Sequence, residues 1–401
     1  MSPRLALPAL AALLLAACQV PVKPAAVDPP EPVAVVKVAP LDGAPAATPS
    51  PSASPDEPAP AAAPDPMDTG AEVFDHLASR FSAPVCVKGQ HNQAWRRRYA
   101  GYPVGFARNM EKVLPLLAYV ATELERRELP AEFALIPIVE SWYRPEAIGP
   151  GGPAGMWQMI ASTARGHGIR IQPGYDGRLS PVEATEAALD HLDMLSDHFD
   201  GEWRAMAMAY NAGEYRILRA FKASGDRRVS GESHLPRGLS RTTYDYVAKL
   251  HALACLLARP ERHGLVLPRE ATFVPLARFE LPAGATSLDQ AALALGTDGA
   301  TLRRLNPAYR QGRVAAGVPR TVLAPATPVA LLARQNAPAS APEPAAGAPA
   351  ADSAREHRVR RGDTLSRIAR QYGVDLRQLY RLNRLNGRSI LQPGQVLRID
   401  P

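Results

Sequence analysis

Between Pro21 and Pro66 the chain carries 14 prolines, set among alanine, valine and a few acids. Proline has no amide hydrogen to donate and its ring fixes φ, so packed helices and strands tolerate little of it. A stretch of this kind has little to bury and favours extended polyproline geometry. A second tract of the same character runs from about Ala324 to Ala354. With 41 prolines among 401 residues, about twice the usual ~5%, a single compact body is excluded. The two tracts read as tethers that set off a large middle piece and a small tail. A polytopic membrane protein is excluded as well, because no run reaches the ~18 to 20 apolar residues of a spanning helix.

Residues 1–17 read as an export signal. Arg4 supplies the charged start and Leu5–Ala17 a short apolar core. Leu15-Ala16-Ala17-Cys18 resembles the bacterial lipobox, which makes Cys18 the expected site of lipidation. Gln19 after it resembles lipoproteins sent to the outer membrane, facing the periplasm. Several acyl chains on one cysteine would anchor firmly, at about 0.8 kcal/mol per buried methylene. Export places Cys86 and Cys255 in an oxidising compartment; a disulfide between them and a buried free thiol at Cys255 both stay open. Three scattered cysteines make neither a disulfide framework nor a zinc ribbon. The net charge of +7 is concentrated. From Arg355 to Pro401 there are eleven arginines, no lysine and four acids, so the rest is neutral overall and no nucleic-acid footprint is expected.

Helical spacing dominates from about Met110 to Ala258. Ala188, Leu192, Leu195 and Phe199 fall on one helical face. Ser180-Pro181 opens that helix, with Glu183 three residues after the cap. Trp203–Asn211 and Tyr244–Leu257 read as further helices. Leu135-Ile136-Pro137-Ile138-Val139-Glu140-Ser141 sets one carboxyl among apolar residues, where the charged form is disfavoured and the proton is kept for donation. Alone, it reads more readily as a glutamate at the exposed end of a buried helix. A glycine-rich turn, Gly151-Gly152-Pro153-Ala154-Gly155-Met156-Trp157-Gln158, follows, then Ala209-Tyr210-Asn211-Ala212-Gly213 and Tyr244-Asp245-Tyr246-Val247. There is no Gly-x-Ser-x-Gly elbow, phosphate loop or His-Glu-x-x-His. His191 and His198, with Asp190, Asp193 and Asp197, read as a solvated acidic face rather than a metal site. Arg96-Arg97-Arg98 beside Trp95 and Tyr99 reads as exposed surface of a helical lead-in.

These motifs, in this order, resemble the lytic murein transglycosylases with their goose-lysozyme-like catalytic domain, and best the membrane-bound type D branch. The resemblance covers about Leu129 to Leu257. Glu140-Ser141 looks like the catalytic Glu-Ser, Gly155-Met156-Trp157-Gln158 like the Gly-x-x-Gln motif, and Tyr175-Asp176-Gly177-Arg178 like a Tyr-Asp-x-Arg stretch. Ala209-Tyr210-Asn211 looks like the Ala-Tyr-Asn motif and Tyr246-Val247 like the closing Tyr-Val. Ser240-Arg241-Thr242-Thr243 departs from the Pro-x-Glu-Thr usual before that Tyr-Val. The resemblance implies a mainly α, lysozyme-like domain that cleaves the MurNAc-GlcNAc β-1,4 bond of peptidoglycan without water, leaving a 1,6-anhydro sugar. It makes Glu140 the acid and then the base, and Ser141, Gln158, Tyr210, Asn211 and Tyr246 the substrate-binding residues. No cofactor or metal is expected. Ordinary glycoside hydrolysis wants two carboxylates. Glu146 and Asp176 are the other candidates, and Asp176 is better explained by an ion pair with Arg178.

The tail, Arg358 to Ile399, reads as β-α-α-β and resembles a LysM module, through Gly362-Asp363-Thr364-Leu365, Ile368-Ala369 and Pro393-Gly394-Gln395. That family binds N-acetylglucosamine-containing glycans, which implies a groove at Gly362, Asp363, Thr364, Leu365, Ile390 and Leu391. Residues from about Phe273 to Pro325 look like a degenerate copy. The expected organisation is a signal at 1–17, tether 18–70, helical lead-in 71–128, catalytic domain 129–262, degenerate LysM-like module 270–325, linker 326–354 and LysM module 355–401. A monomer is expected, with peptidoglycan strands and a membrane as partners. A hydrolytic muramidase and a non-catalytic wall-binding lipoprotein are the alternative readings.

Overall fold

In the computed structural model, residues 66–225, 235–336, 356–359, 365–372, 374, 376–385, 391–392 and 394–399 are described. Cys18, Gly362, Asp363, Thr364 and Ile390 lie outside them. The helical stripe expected of residues 188–199 is present and closes the main core. Ala188, Leu192, Leu195 and Phe199 are all fully buried on the helix Pro181–Phe199. Ser180 caps it by accepting from the Glu183 amide at 3.3 Å. The Glu183 carboxylate does not complete a capping box but accepts the Tyr175 hydroxyl at 2.5 Å.

The chain enters through α1 (Gly70–Arg80), opened by a capping box between Thr69 and Glu72. Next come α2 (Gln90–Ala100), α3 (Pro103–Glu125), a 3-10 turn over Ala131–Leu135 and the short α4 (Ile136–Ser141). Then follow α5 (Ala161–Gly166), the antiparallel pair β1 (Ile171–Gln172) and β2 (Tyr175–Asp176), and α6 (Pro181–Phe199). The domain is completed by α7 (Trp203–Ala212), α8 (Glu214–Ala223) and α9 (Arg241–Ala258). From Ala205 to Ala209, α7 is buried on every side, as expected of a helix at the centre of a helical core. The lead-in helices are part of that core: Val73, Phe74 and Leu77 of α1 and Phe106, Met110 and Leu114 of α3 pack in one cluster with α6, α7 and α9.

A disulfide joins Cys86, in the segment between α1 and α2, to Cys255 of α9. It ties the lead-in to the helix that carries Tyr246.

A second small core follows. β3 (Leu276–Glu280), α10 (Leu288–Ala294), α11 (Gly299–Leu305) and β4 (Thr321–Pro325) form a β-α-α-β unit, with β3 and β4 antiparallel from Leu276 opposite Pro325 to Glu280 opposite Thr321. Where residues 326–354 were expected to be linker throughout, α12 (Pro328–Asn336) packs on this unit and buries Ala330 completely. Alanine lets the helix lie close despite the prolines around it. The unit is fixed to the helical domain. Arg278 donates to the Tyr119 hydroxyl (3.0 Å), Glu123 (3.1 Å) and Glu186 (2.7 Å), and the Tyr175 and Tyr309 rings meet edge to face at 5.1 Å.

The tail holds β5 (Glu356–Arg358), α13 (Leu365–Tyr372), α14 (Leu376–Asn383) and β6 (Val396–Arg398), again β-α-α-β with the strands antiparallel. Ile368, Leu379, Leu397 and Ile399 make its core. The Tyr380 hydroxyl donates to Asp197 of α6 at 2.6 Å.

The two small units share one bonding pattern. The Asn306 side chain donates to the carbonyls of Leu302 and Leu323, each at 2.8 Å, and accepts from the Leu323 amide at 2.8 Å. Asn383 donates to Leu379 (2.9 Å) and Arg398 (2.7 Å) and accepts from the Arg398 amide at 2.7 Å. In each, an asparagine ends the second helix and stands in as a strand partner for the returning chain.

The cysteine pair closes a loop of 169 residues in sequence separation, so it removes much freedom from the unfolded chain. Cys86→Ser is expected to lower the unfolding free energy by about 2–5 kcal/mol, read as a lower urea midpoint. Reductant should shift the unsubstituted chain by the same amount and the variant no further.

Candidate active site

Glu140 sits at the end of a helix built to stop at once. After Ser141 the chain turns through Trp142 and Tyr143, both at φ +54°. Left-handed backbone costs roughly 1–2 kcal/mol per non-glycine residue, and the turn is held by several bonds. The Trp142 amide donates to Ile138 (3.2 Å), the Tyr143 amide to Pro137 (3.1 Å) and the buried Tyr143 hydroxyl to Ala134 (2.6 Å). The stretch before Glu140 is buried from Ala131 to Ile138, including Glu132, which accepts from the Ser82 amide at 2.6 Å, and this brings the Glu140 carboxyl to the edge of the core.

There the carboxyl meets α9. The Tyr246 hydroxyl donates to Glu140 Oε1 at 2.7 Å, and Lys249, three residues on, adds a favourable positive charge. Burial raises the Glu140 pKa, while the Tyr246 bond and the Lys249 charge lower it; burial wins and the net direction is up. Burial also holds the Tyr246 and Tyr210 phenols far above their usual range, with the Glu140 charge reinforcing both shifts. Both hydroxyls therefore remain donors. Lys249 is the residue that the sequence reading missed; its spacing from Tyr246 places both on neighbouring turns of one helix.

Other candidates stand around this pair in different ways. The Tyr210 hydroxyl donates to the Trp157 carbonyl at 3.0 Å, joining α7 to the glycine-rich loop. Ser141 is buried and does not touch the carboxyl. Its hydroxyl donates to the Met156 carbonyl at 2.9 Å and accepts from the Arg144 amide at 3.2 Å, so it ties the Glu140 turn to the same loop. The Gln158 amide is turned into its own loop, donating to Gly155 (2.7 Å) and Ala147 (3.3 Å). Asn211 is exposed near the end of α7. Leu365 is buried and Leu391 half-buried in the tail module.

Asp176 and Arg178 pair at 2.7 Å, as their spacing suggested. Arg178 does more than pair: it also donates to the Gly152 carbonyl at 2.8 Å, gripping the glycine loop. Gly155 lies at φ +78°, and a Cβ there would fall on the Arg178 carbonyl oxygen, so only glycine fits. His191 corrects the expectation of a solvated face. It points inward, 3.2 Å from His167 and with its ring beside Tyr210 (5.8 Å between centroids). Burial drives its pKa down to about 3, so the imidazole is neutral. Asp190 and Asp193 bind Arg127 at 2.6 and 3.2 Å, and His198 lies 2.8 Å from Glu214.

A half-buried carboxyl with no second carboxylate bonded to it, a phenol on it and a glycine loop locked nearby coincide with a family match. Residues 119–230 match the family model of the transglycosylase SLT domain. Residues 357–400 match that of the LysM domain. The SLT match contains Glu140, Ser141, Gln158, Tyr210 and Asn211; Tyr246 lies beyond it. The chain is 34% identical over 290 residues to membrane-bound lytic murein transglycosylase D of Escherichia coli (strain K12), covering 71% of this chain and 63% of that relative. It is 42% identical over 98 residues to peptidoglycan transglycosylase gp16 of Escherichia phage T7, covering 23% of this chain and 7% of the phage protein. The chain thus spans less than two thirds of the length of either relative.

Because burial and the Tyr246 bond oppose each other at Glu140, removing the phenol hydroxyl has a definite sign. In Tyr246→Phe the Glu140 titration, followed by carbon NMR of labelled glutamate, moves to higher pH. Lys249→Met moves it the same way, and an unmoved titration in both would detach α9 from the carboxyl.

Proposed function

We propose that this chain is a lytic transglycosylase that cuts peptidoglycan glycan strands at the MurNAc-GlcNAc β-1,4 bond and leaves a 1,6-anhydro-MurNAc end. The observation that carries this reading is the solitary state of Glu140. Among the described residues its bonded and charged neighbours are Tyr246 and Lys249, not a second carboxylate. Asp176 is committed to Arg178 and Glu146 is exposed. A single carboxyl suffices when the substrate supplies its own nucleophile. Glu140 gives its proton to the bridging oxygen as the bond to C1 breaks. It then takes the proton of the muramic 6-hydroxyl as O6 bonds to C1, so no water is consumed and the acid is restored. An internal nucleophile benefits from effective molarity and needs no separate activation.

The remaining site residues take supporting parts. Tyr246 aims the carboxyl. Ser141 and Tyr210 fix the loop on which Gln158 stands; with its NH2 spent on Gly155 and Ala147, Gln158 has only its amide oxygen for the sugars, while exposed Asn211 presents a whole amide. Tail residues Gly362, Asp363, Thr364, Leu365, Ile390 and Leu391 contact amino-sugar glycan. The unit at 270–325 is a LysM-like repeat, supported by the matching asparagine bonds. Its groove is filled from within: Arg320 reaches between the two loops to the carbonyls of Pro282 (2.6 Å) and Ala285 (3.3 Å), which gives the unit a structural part. Lipidation at Cys18, supported by Leu15-Ala16-Ala17-Cys18, would hold the enzyme on the outer membrane, facing the wall from the periplasm. No helix among the described residues is long and apolar enough to cross a membrane.

Mass spectrometry of digested sacculi tests the reading. Anhydro ends are expected from the unsubstituted chain, with release falling about 10²- to 10⁴-fold in Glu140→Gln. Reducing ends instead would make it a hydrolase, and sacculi bound but never cut would leave a wall adhesive. Because the Glu140 pKa is raised by folding, its carboxylate destabilises the native state as pH rises through that pKa. Glu140→Gln should therefore melt higher than the unsubstituted chain near neutrality, and the gain should vanish near the ordinary carboxyl range, about pH 4.

A further inference from the structure

The arginine run at residues 96–98 is not merely the outer face of the lead-in. Helix α2 lies along α9, and between them opens a cavity of about 640 Å³ lined by His91, Trp95, Arg97, Arg98, Arg241 and Asp245, among others. Asp245 is already engaged. It lies 2.9 Å from His91 Nδ1, accepts from Trp95 Nε1 at 3.4 Å and lies 3.6 Å from Arg241. The Arg98 guanidinium stacks on the Trp95 ring at 5.2 Å, and Lys249 stands over the same ring at 4.8 Å. Two cations on one indole leave no room for a sugar face there. Among the described residues no carboxylate pairs with Arg97 or Arg98. The cavity thus has an unneutralised positive lining, with three arginines against one committed acid.

Its position matters as much as its charge. Arg241, Asp245 and Lys249 follow one another at four-residue spacing on α9, and Lys249 is the residue whose charge also reaches Glu140. From the other side a chain of rings, Trp95, Tyr99, Phe106 and Trp142, runs from the cavity to the turn that follows Glu140, at centroid separations of 5.9, 6.5 and 6.1 Å. The cavity is therefore linked to the carboxyl through Lys249, which stands over Trp95 of its lining, and is built on the helix that carries Tyr246.

We propose that this cavity is a subsite for the carboxylates of the peptide stem borne by a muramic acid residue in the glycan strand. It rests on the transglycosylase reading and deepens it. A strand held at Glu140 carries a peptide stem on each muramic residue, and the free carboxylates of a stem that reaches the cavity meet guanidinium groups able to bind them in bidentate fashion. The contact discriminates stem-bearing strands from stripped ones. It works through fixed positive charge, so salt weakens it.

Two measurements test it on the full chain. In the first, turnover is compared on sacculi with intact stems and on strands stripped of stems by an amidase. Arg97→Ala with Arg98→Ala should reduce the preference for stem-bearing strands roughly tenfold, and Arg97→Lys with Arg98→Lys, which keeps the charge but loses the fork, should retain only part of it. Equal losses on both substrates, or no loss on either, overturn the subsite. In the second, a soluble disaccharide-tetrapeptide is titrated into Glu140→Gln by calorimetry. Affinity should fall roughly tenfold in the alanine pair and weaken with salt. Salt-insensitive binding, or binding untouched by the alanine pair, overturns the proposal. If the unsubstituted chain cuts neither substrate, the transglycosylase reading fails while the titration still decides the subsite.

Discussion

At Glu140 desolvation and hydrogen bonding pull in opposite directions, and the remainder of the helical domain can be understood as the apparatus that keeps this contest in balance. Burial alone would hold the proton so firmly that the carboxylate left after giving it up would be disfavoured. A strongly paired carboxylate would hold no proton to give near neutral pH. The structure places one neutral donor, Tyr246, on the carboxyl and one cation, Lys249, nearby. Each tempers the effect of burial without cancelling it. That arrangement requires α4 to end at once after Glu140 and α9 to present two successive turns to it. The left-handed pair Trp142-Tyr143 provides the first, and the Ser240 cap that starts α9 the second.

What was legible in the sequence is what periodicity and caps encode. The stripe on α6, its Ser180 cap, the ends of α7 and α9 to within a few residues, and both β-α-α-β units follow from local rules. Glu140 was legible because an apolar run leading to one acid is chemically odd. The partners were less so. Tyr246 and Glu140 are 106 residues apart in sequence, and nothing local in either motif says that they meet. His191 read as surface because its neighbours are aspartates; it turns inward because helical spacing sets it toward Tyr210, while Asp190 and Asp193 turn to Arg127. The disulfide was open for the same reason: pairing depends on where α9 lies against the lead-in. Helix α12 was hidden by composition, since a proline-rich tract need not be proline-rich at every turn.

The departure at Ser240-Arg241-Thr242-Thr243 illustrates how a helix start can be kept while a motif is lost. The usual glutamate and proline are absent, yet the stretch still starts a helix. Ser240 accepts from the Thr243 amide at 3.3 Å and fixes the first turn of α9. Tyr246 then falls on the carboxyl because the helix phase is set by that cap. The motif's chemistry at this point is the placement of α9, and a serine cap supplies it.

Two β-α-α-β units with one asparagine device serve opposite ends in the chain. The same bonds, from asparagine to the preceding helix and the returning strand, close both units, so the scaffold is equally well made in each. What differs is the outside. In the first unit Arg278 and Tyr309 commit the surface to the helical domain and Arg320 occupies the space between loops. A unit locked in this way stiffens the platform behind β2 and Arg178, and through Arg178 it reaches the glycine loop at the site. The second unit carries eleven arginines in and around its fold and has the sequence Gly362-Asp363-Thr364-Leu365 where the first has Ala285-Thr286-Ser287-Leu288. The pair thus puts one scaffold to two uses of its surface: the first unit spends its outside on the helical domain through Arg278 and Tyr309, while the second meets that domain through the Tyr380 bond to Asp197.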